Sequence, residues 1–430
     1  MKTKKFSGWF QLALCTVITV AFTMFQTSIN IANTSMLSAK QVAMSATTYG
    51  LAFSVMSFIQ GPPQLLLGRA IKKWGPRKPI MLGALITMAA GLTAPSMLNS
   101  GTAFVIYFGV LYGIGFLLCT QLTGQTIINN WFFLRRGRAM ALARGITMLG
   151  SVVGPRIGLL ILQKTGSFRP VWYMGAIMGV LIMIAAIIVK EDPSKCGETV
   201  DGLAEGETLE KTKEARVSTV YKRKIEDSVL FKDAVKTPRY WMFVAISSIA
   251  LTTAGLLNAT AVHFTNSGAD ISVISSATST ASIVALFATF GISAIADRIE
   301  PSFIFAFAFV GFAVCSLFAC LAPTSSVVIY SCYIFCRIIS ACGFGIMPTL
   351  WANTFGAKGF SDLHSFSLLF GGILSSFTGV IAGFICDLTG SYNGVYMVWF
   401  VLCAICAVAL IFGIGIPCAR KYRQEKAEAK

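Results

Sequence analysis

The sequence predicts an all-α membrane protein with twelve transmembrane helices in two pseudo-symmetric six-helix bundles. Its 430 residues are 55% hydrophobic and 12% charged, with a mean hydropathy of +0.72, which is outside the range of soluble globular domains. Windows of about 20 apolar residues, enough to cross a hydrocarbon core of about 30 Å as helix, recur along nearly the whole chain. One charged segment separates the first six of these windows from the last six.

The apolar windows define the predicted spans. They cover residues 9–30, 47–68, 79–98, 103–128, 138–162 and 169–189 in the first half, and 239–263, 271–296, 302–322, 327–351, 361–386 and 393–416 in the second. The first window is long, follows Lys2, Lys4 and Lys5, and lacks a small-residue cleavage site. We therefore interpret it as a retained helix and not as a signal peptide.

The predicted domain organisation follows from the charged segment. Residues 1–189 form an amino-terminal bundle, residues 190–238 a cytoplasmic charged linker, and residues 239–430 a carboxyl-terminal bundle with a short basic tail. The linker holds eleven acids and ten bases without a long apolar run, which is typical of a solvated segment. We expect one amphipathic helix in it, near residues 208–226.

The distribution of charge predicts the orientation. With a cytoplasmic amino terminus, 29 of the 35 Lys and Arg residues lie on the cytoplasmic side, as the positive-inside rule requires. This predicts a multi-pass protein of the cell (plasma) membrane with both termini in the cytoplasm. The formal net charge of +17 then reflects orientation and contact with anionic membrane lipid, so we expect no nucleic-acid partner.

The two halves carry an internal similarity. Thr-Gly-Ser-Phe from Thr165 matches Thr-Gly-Ser-Tyr from Thr389, and Asn129 matches Asn353 at the same offset along the chain. Loops favour Gly and Ser, so chance similarity is the alternative. We interpret the matches as an internal repeat, which predicts two related bundles.

The charges at membrane depth are all positive. No Asp or Glu precedes Glu191, whereas seventeen Lys and Arg do. Arg144 and Arg156 interrupt one apolar span, and Arg337 interrupts another. A charge at this depth is costly unless it meets a cavity, a partner or a ligand, so the sequence predicts an anionic substrate. The acids that could neutralise these arginines instead are Asp270, Asp297, Asp362 and Asp387.

Two stretches carry a family resemblance. The loop after the second span, Gly61 to Pro79, reads GPPQLLLGRAIKKWGPRKP, and the start of the fifth span, Trp131 to Gly154, reads WFFLRRGRAMALARGITMLGSVVG. They resemble the major facilitator superfamily, and more narrowly its oxalate/formate antiporter and monocarboxylate transporter branch. The resemblance implies the twelve-helix fold and a transport function, and it covers the whole chain at the level of architecture.

The resemblance also implies cytoplasmic gating loops. Their residues here are Gly68, Lys72, Lys73, Gly75 and Arg77 in the first half, and Asp297 and Arg298 in the second. The family has an acid where this chain has Lys72, so its usual salt bridge cannot form, and Ser293 replaces a Gly in the second half. We therefore expect the second half to hold the gating contacts. The alternative is that Lys72 and Lys73 only fix orientation.

Arg337 is the predicted substrate anchor. It lies within about 3 Å of the middle of the tenth span at a rise of about 1.5 Å per residue, the depth at which a transporter bundle holds its ligand. A guanidinium can bind a carboxylate through two parallel hydrogen bonds, which favours Arg over Lys. The alternative is an arginine that caps the carbonyls of a helix broken near Gly343 and Gly345.

Other polar residues extend the predicted substrate site. Aligning Gly-Phe-Gly at 343–345 with Gly-Ile-Gly at 113–115, at a slightly larger offset than the Thr-Gly-Ser match, sets Tyr107 opposite Arg337, so Tyr107 could donate to the same anion. The other candidates are Arg144, Gln121, His364 and, at lower rank, Gln125. Tyr107 and His364 also have simpler interpretations, as a packing residue and as an interfacial polar group.

The fifth span combines two arginines with a stripe of small residues. Arg144 and Arg156 lie about 120° apart around a helix. Because Thr147 and Ser151 lie near the Arg144 face, we expect Arg144 to line the cavity and Arg156 to extend toward the outer side. The stripe predicts close helix packing and a kink, and its residues are Gly150, Gly154, Pro155 and Gly158. The same string resembles a motif of drug/proton antiporters in the superfamily.

The sequence thus predicts a secondary active transporter of a small organic anion, a mono- or dicarboxylate, working by alternating access. Because no acid lies deep in the membrane, we expect antiport, or symport in which a proton travels with the substrate. The alternatives are a drug or lipophile exporter and a non-transporting membrane sensor. The sequence contains no nucleophile constellation, phosphate loop or cofactor fingerprint, so we expect neither an enzyme nor a cofactor. Most cysteines lie in apolar spans, where we expect them to be packing residues, so we expect no metal site. The sequence does not determine the oligomeric state, and we expect a monomer.

Overall fold

The computed structural model describes residues 6–132, 136–202, 231–296, 300–355 and 360–415. Within these stretches the regular secondary structure is helical, without a strand. The predicted all-α class is confirmed. The amphipathic helix expected near 208–226 lies outside the described residues.

The helices before the charged segment follow the first six predicted spans, with interruptions. They are α1 (Gly8–Ser38), α2 (Ala46–Gln60), α3 (Gln64–Trp74), α4 (Arg77–Met97), α5 (Gly101–Phe104), α6 (Gly113–Cys119), α7 (Gln121–Trp131), α8 (Arg136–Thr165) and α9 (Arg169–Ile188). A π-helical segment, Val105–Tyr112, joins α5 to α6. Thr120, with φ −103° and ψ −103°, separates α6 from α7.

The helices after the charged segment follow the last six predicted spans. They are α10 (Phe231–Ala234), α11 (Pro238–Asn266), α12 (Ile271–Ala296), α13 (Pro301–Leu321), α14 (Ser326–Phe355), α15 (Phe360–Ser376), α16 (Thr378–Thr389) and α17 (Asn393–Val408). A π-helical segment, Ala409–Gly415, extends α17. Two short 3₁₀ turns, Pro193–Cys196 and Val200–Gly202, follow α9.

Several helices begin at residues with a local preference for that position. The hydroxyl of Thr237 accepts from the Tyr240 backbone N–H at 3.3 Å and caps α11, whose first residue is proline. Ser100 caps α5 in the same way, accepting from the Ala103 N–H at 3.2 Å. Pro301 occupies the start of α13. Hydroxyl caps and a first-turn proline satisfy or remove N–H groups that have no partner inside the helix.

Eleven helical stretches in the described part of the chain are long and apolar enough to cross a membrane, with α5 to α7 counted as one stretch and α15 with α16 as another. The second predicted span, 47–68, is the exception, because α2 ends at Gln60 and α3 begins at Gln64. The residues between them are Gly61, Pro62 and Pro63, and proline has no N–H to continue a helix. The two short helices α2 and α3 together replace the predicted single span.

The chain forms two compact units. The first takes in Met1–Asn33 and Ile59–Arg223, and the second Thr34–Phe58 and Lys224–Lys430, so far as these ranges are described. Residues 34–58, assigned by the sequence to the amino-terminal bundle, therefore pack inside the second unit. The predicted bundle limits at residues 189 and 239 remain predictions.

The repeated Thr-Gly-Ser loops have the same local geometry in both units. The hydroxyls of Thr165 and Thr389 each donate to the carbonyl four residues earlier, at 2.7 and 2.8 Å. Each also donates to the serine carbonyl two residues later, at 3.1 and 2.8 Å. Gly166 and Gly390 have φ of +66° and +72°, a region that favours glycine. This shared geometry is what an internal repeat relating the two loops requires.

Candidate functional site

Arg337 lies in α14, one helical turn after Tyr333. Its side chain is partly buried, and its Nε is fully buried with no hydrogen-bond partner in the described part of the chain. It forms no ion pair with any residue that the structure describes. A guanidinium at this depth with an unused donor is costly unless a ligand or water meets it.

Tyr333 and Cys336 connect the Arg337 turn to two neighbouring helices. The Tyr333 side chain lies beside that of Thr278 in α12. The Cys336 thiol donates to the Thr253 carbonyl of α11 at 3.2 Å. Tyr333 lies about 40° from Arg337 around α14, whereas Cys336 lies about 100° from it, so the Arg337 side chain leaves the helix on the side of Tyr333 and α12.

A row of hydroxyls follows the Tyr333 contact along α12. Ser275, Thr278 and Ser282 recur every three or four residues, so they lie on one side of the helix. Ser275 and Ser279 are fully buried, and neither hydroxyl has a hydrogen-bond partner among the described residues. A guanidinium with neutral hydroxyl donors on the adjacent helix is suited to an oxyanion.

Arg144 and Arg156 project from different sides of α8. Thr147, one turn after Arg144, shares a hydrogen bond with Thr19 of α1 at 2.8 Å, so Arg144 lies at the flank of the surface that meets α1. Arg156 lies about 180° from Thr147 around the helix. Both side chains are exposed on the protein surface. Arg144 therefore lies nearer than Arg156 to the packed helices of the first unit.

The glycine stripe of α8 packs on the backbone of α1. A Cβ added at Gly150 would lie 2.6 Å from the Val20 carbonyl oxygen, and one at Gly158 would lie 2.5 Å from that of Ser28. The Ser28 hydroxyl donates to the Gly154 carbonyl at 2.6 Å. Such approach is possible only for residues without a side chain, as in other small-residue helix contacts. Pro155 lies inside the same helix.

Tyr107 lies in the π-helical segment of the first unit. Its hydroxyl donates to the Thr93 hydroxyl of α4 at 3.1 Å, and its ring meets Trp172 of α9 edge-on at 6.4 Å. The hydroxyl is thus already bonded within the first unit. The predicted pairing of Tyr107 with Arg337 stays a prediction.

Several predicted site residues fall outside the description. Gln121 begins α7 directly after the break at Thr120, and His364 belongs to α15, but their side chains are not among those described. Asp297 and Arg298 of the second-half gating loop lie outside the described residues altogether.

Glu191 holds the basic turn between α3 and α4. Its Oε1 accepts from the Arg77 backbone N–H at 3.0 Å, at the start of α4. The Arg77 side chain donates to the Ala186 and Ile187 carbonyls at the end of α9, at 2.9 and 2.6 Å. Gly75 has φ of +78°, and a Cβ there would clash with the Glu191 carboxylate. Glu191 thus brings to this loop an acid that the loop itself lacks.

The backbone that carries Glu191 is fixed by three hydrogen bonds. Gln11 Oε1 accepts from the Lys190 N–H at 2.8 Å, and Trp131 Nε1 donates to the Lys190 carbonyl at 2.9 Å. Asn130 Nδ2 donates to the Glu191 carbonyl at 3.0 Å. The start of the charged segment is therefore part of the first unit.

The other residues of the predicted first-half gating loop make fewer contacts with the described part of the chain. Lys72 and Lys73 are exposed in the last turn of α3, where positive charge interacts favourably with the helix dipole. Among the described residues outside its own helix, a Cβ at Gly68 would meet only Leu122, at 3.8 Å. Both interpretations of Lys72 and Lys73, as gating residues and as residues that only fix orientation, stay predictions.

We expect Glu191→Gln to lower the stability of the first unit by about 1–2 kcal/mol, because glutamine keeps an acceptor oxygen but removes the negative charge from a helix amino terminus. The measurement is thermal unfolding of the purified protein in detergent. Asp233→Asn is the matched control, because it removes the same charge from an exposed pair with Lys236 at 3.8 Å, which contributes about 0–1 kcal/mol. Equal shifts in the two variants would contradict the structural role of Glu191.

Two acids that could neutralise the membrane arginines bind backbone N–H groups instead. Asp270 accepts from the Ser272 N–H at 2.7 Å, and the hydrogen bonds from Ser272 hold the pKa of Asp270 below its ordinary value. Asp387 accepts from two N–H groups at the start of α2. The side chains of Asp297 and Asp362 are outside the described set.

One polar surface was not identified from the sequence. Gln26, Asn30 and Asn33 of α1 recur at intervals of four and three residues and so share one side of the helix. Asn33 is fully buried, and neither atom of its amide has a partner within the described stretches. Their i, i+4, i+7 spacing was a signal that could have identified them.

The described cysteines are free thiols, and most are buried. Cys332, for example, donates to the Cys315 carbonyl at 3.4 Å. Where the chain is described, no three His, Cys, Asp or Glu side chains come together as a metal site would require.

Two solved transporter structures match this fold over most of the chain. The crystal structure of a D-xylose-proton symporter matches with a TM-score of 0.67 and 13% identity, covering 93% of this chain and 97% of that one. The inward-open xylose transporter XylE of E. coli matches with a TM-score of 0.69 and 13% identity, over 93% and 95% of the two chains. At this identity the likeness establishes the fold alone, and the chain is a multi-pass membrane protein of that fold.

Sequence relatives include an oxalate:formate antiporter of Oxalobacter formigenes, 29% identical over 35% of each chain. The uncharacterized MFS-type transporter YcxA of Bacillus subtilis (strain 168) is 26% identical over 46% of this chain and 48% of its own. The fujikurins efflux protein of Gibberella fujikuroi is 28% identical over 24% and 21%. These alignments span less than half of each relative. The Major Facilitator Superfamily sequence profile matches residues 15–361, well over half of the chain, and the chain therefore belongs to the Major Facilitator Superfamily.

Proposed function

We propose that this chain is a secondary active transporter of a small organic anion, a mono- or dicarboxylate, working by alternating access. The observation that carries the proposal is the guanidinium of Arg337. Its Nε is buried without a hydrogen-bond partner in the described part of the chain, and no described carboxylate neutralises it. A carboxylate ligand would supply both the missing charge and the missing acceptor.

Three further features support an anion. The sequence contains no Asp or Glu before Glu191. The buried hydroxyls of Ser275 and Ser279 lie on α12, the helix beside Tyr333. The relative from Oxalobacter formigenes is named for exchange of two carboxylates. Arg144 serves in this proposal as a second positive group on the substrate path.

The proposed transporter works in the cell (plasma) membrane as an antiporter or a proton-linked symporter, with both termini in the cytoplasm. It has the two bundles and the charged linker that the sequence predicts. Its partners are the anion and membrane lipid. The proposal includes no nucleic-acid partner and no cofactor, and the protein is proposed to be a monomer. The orientation rests on the positive-inside distribution of Lys and Arg.

The second candidate is an exporter of drugs or other lipophilic compounds. The similarity to a fungal efflux protein favours it, as does the Gly-Pro stripe of α8. It is disfavoured for cationic drugs, because the first half of the chain has no acid at membrane depth to bind them. A non-transporting sensor is the remaining alternative.

The experiment is reconstitution of the purified protein into liposomes, with uptake and exchange measured for a panel of mono- and dicarboxylates. We expect saturable flux of at least one carboxylate and none of a cationic dye. Dye efflux without carboxylate flux would favour the exporter, and carboxylate binding without flux would favour the sensor. Exchange that needs an internal carboxylate indicates antiport, whereas uptake driven by a pH gradient alone indicates symport.

A further inference from the structure

Two cysteine thiols meet where α13 packs on α14. The Cys332 thiol donates to the Cys315 carbonyl at 3.4 Å, and the side chains of the two cysteines lie beside each other. Both residues are buried, with 1% of Cys332 and 8% of Cys315 exposed. Because the two free thiols belong to different helices, the packing of the bundle creates the pair, and a local CxxC spacing does not.

The neighbouring thiols are directed to other helices. Cys336, one turn after Cys332, donates to the Thr253 carbonyl of α11 at 3.2 Å. Cys320, near the end of α13, donates to a backbone carbonyl of α17 at 3.6 Å. Of these four thiols, Cys315 and Cys332 are therefore the two that one small ligand can bridge.

The surroundings of the pair favour a neutral ligand. A thiolate buried in an apolar helix contact is costly, so thiols in such a place stay protonated. Structural zinc takes four ligands and binds cysteine as the thiolate, whereas no three His, Cys, Asp or Glu side chains come together within the described stretches. The ligand that fits joins two protonated thiols and leaves no charge in the helix contact.

We propose that Cys315 and Cys332 form a dithiol site for trivalent arsenic compounds of the aryl arsenic oxide class. Sulfur ligands select soft centres, and arsenic(III) is such a centre. Two arsenic–sulfur bonds form, the bond between arsenic and oxygen breaks, and the two thiol protons leave with that oxygen as one water molecule. Neither arsenic nor sulfur changes its oxidation state, and the product is neutral, so the reaction needs neither an oxidant nor a counter-ion. This site is independent of the proposed transport function.

The pair has a route to the surface of the second unit. Cys315 lies six residues before the end of α13 at Leu321, about 9 Å along the helix at a rise of about 1.5 Å per residue. Cys320, between Cys315 and that end, is half-buried. An uncharged aryl arsenical also enters the apolar interior of a membrane or a detergent micelle. Once bound, the arsenic covalently joins α13 to α14.

The test is intact-mass spectrometry of the purified protein after treatment with an equimolar amount of phenylarsine oxide and a wash with a monothiol. A monothiol displaces arsenic that is held by one sulfur. A chelate of two sulfurs resists the monothiol, because its second bond forms within one molecule. We expect the wild-type protein to retain a single arsenical and to release it to a vicinal dithiol. Folded wild-type protein that retains none would overturn the site.

Alanine variants identify the thiols that hold the arsenical. Cys315→Ala and Cys332→Ala are each expected to lower retention at least about tenfold, because arsenic on a single sulfur loses the advantage of the intramolecular second bond. Cys320→Ala and Cys336→Ala are the matched controls, since each removes a neighbouring thiol that is hydrogen-bonded to another helix, and both should retain the arsenical as wild type does. Thermal unfolding in detergent identifies a variant that does not fold, and the serine variant at the same position then replaces it.

The CxxC of α17 is the competing pair of thiols. Cys403 and Cys406 lie three residues apart on one helix, and both are buried. Cys403→Ala is expected to retain the arsenical as wild type does. Loss of the arsenical in Cys403→Ala, or full retention in Cys315→Ala, would place it on another pair of thiols and overturn the site.

Discussion

Arg337→Gln is expected to reduce carboxylate exchange on the order of 100-fold. Truncating one partner of a buried charge pair with its hydrogen bonds costs about 2–5 kcal/mol, and each 1.4 kcal/mol is about tenfold. The variant should fold, because glutamine removes a charge that no described carboxylate neutralises. The measurements are exchange in liposomes and the rise in unfolding temperature on adding the carboxylate, both of which should be lost together.

Two further variants, Arg337→Lys and Arg156→Gln, test whether the effect is specific to the guanidinium of Arg337. Lysine keeps the charge but not the planar fork, so we expect exchange to remain about tenfold below wild type if the anion is bound through two parallel bonds. Arg156 is exposed on the side of α8 away from α1, and Arg156→Gln should change exchange less than about twofold. Full activity in Arg337→Lys would remove the two-bond argument, and full activity in Arg337→Gln would remove Arg337 from the site.

Most of the fold could be predicted from local sequence, because apolar length alone decides which helices can cross a bilayer. Only some interruptions of the predicted spans have a signal in the local sequence. The break at Gly61–Pro63 has a local signal, since proline cannot continue a helix. The break at Thr120 and the π-helical segment Val105–Tyr112 have no such signal.

The candidate site could be predicted only at positions where one residue is unusual by itself. Arg337 stands out because any charge in an apolar span is exceptional. The hydroxyls of Ser275 and Ser279 do not stand out, since serine is common in packed membrane helices and only their burial without a partner distinguishes them among the described residues. The side-chain amides of α1 at positions 26, 30 and 33 are uncharged, so only their periodic spacing could have identified them.

Contacts between distant residues could not be predicted from one sequence. Glu191 meets Arg77 across 114 positions and Asp387 meets Thr47 across 340, and nothing local to either acid indicates its partner. Both acids bind at helix amino termini, where N–H groups lack internal partners. In each case a carboxylate from a distant segment binds N–H groups at the start of a helix. The basic residues of the local loop motif do not indicate that contact.

Gly154→Ala is expected to lower the free energy of unfolding by about 1–3 kcal/mol, the cost of forcing an atom into a packed contact. The added Cβ would lie 2.5 Å from the Met24 carbonyl oxygen and against the Thr27 hydroxyl. Since Met24 contributes a backbone atom, relief requires α1 and α8 to move apart. This would also weaken the Ser28 hydrogen bond to the Gly154 carbonyl, so exchange should fall together with stability.

Gly124→Ala is the matched control, and it is expected to act in the opposite direction. Beyond its own turn of helix, no atom of the described residues lies within 4 Å of a Cβ built at Gly124, and alanine in the interior of a helix is favoured over glycine by about 0.5–1 kcal/mol. Thermal unfolding in detergent should therefore rank Gly124→Ala above wild type and Gly154→Ala below it. If both substitutions stabilise the protein, the contact between α1 and α8 is looser than these distances imply, and the glycine stripe loses its role in packing.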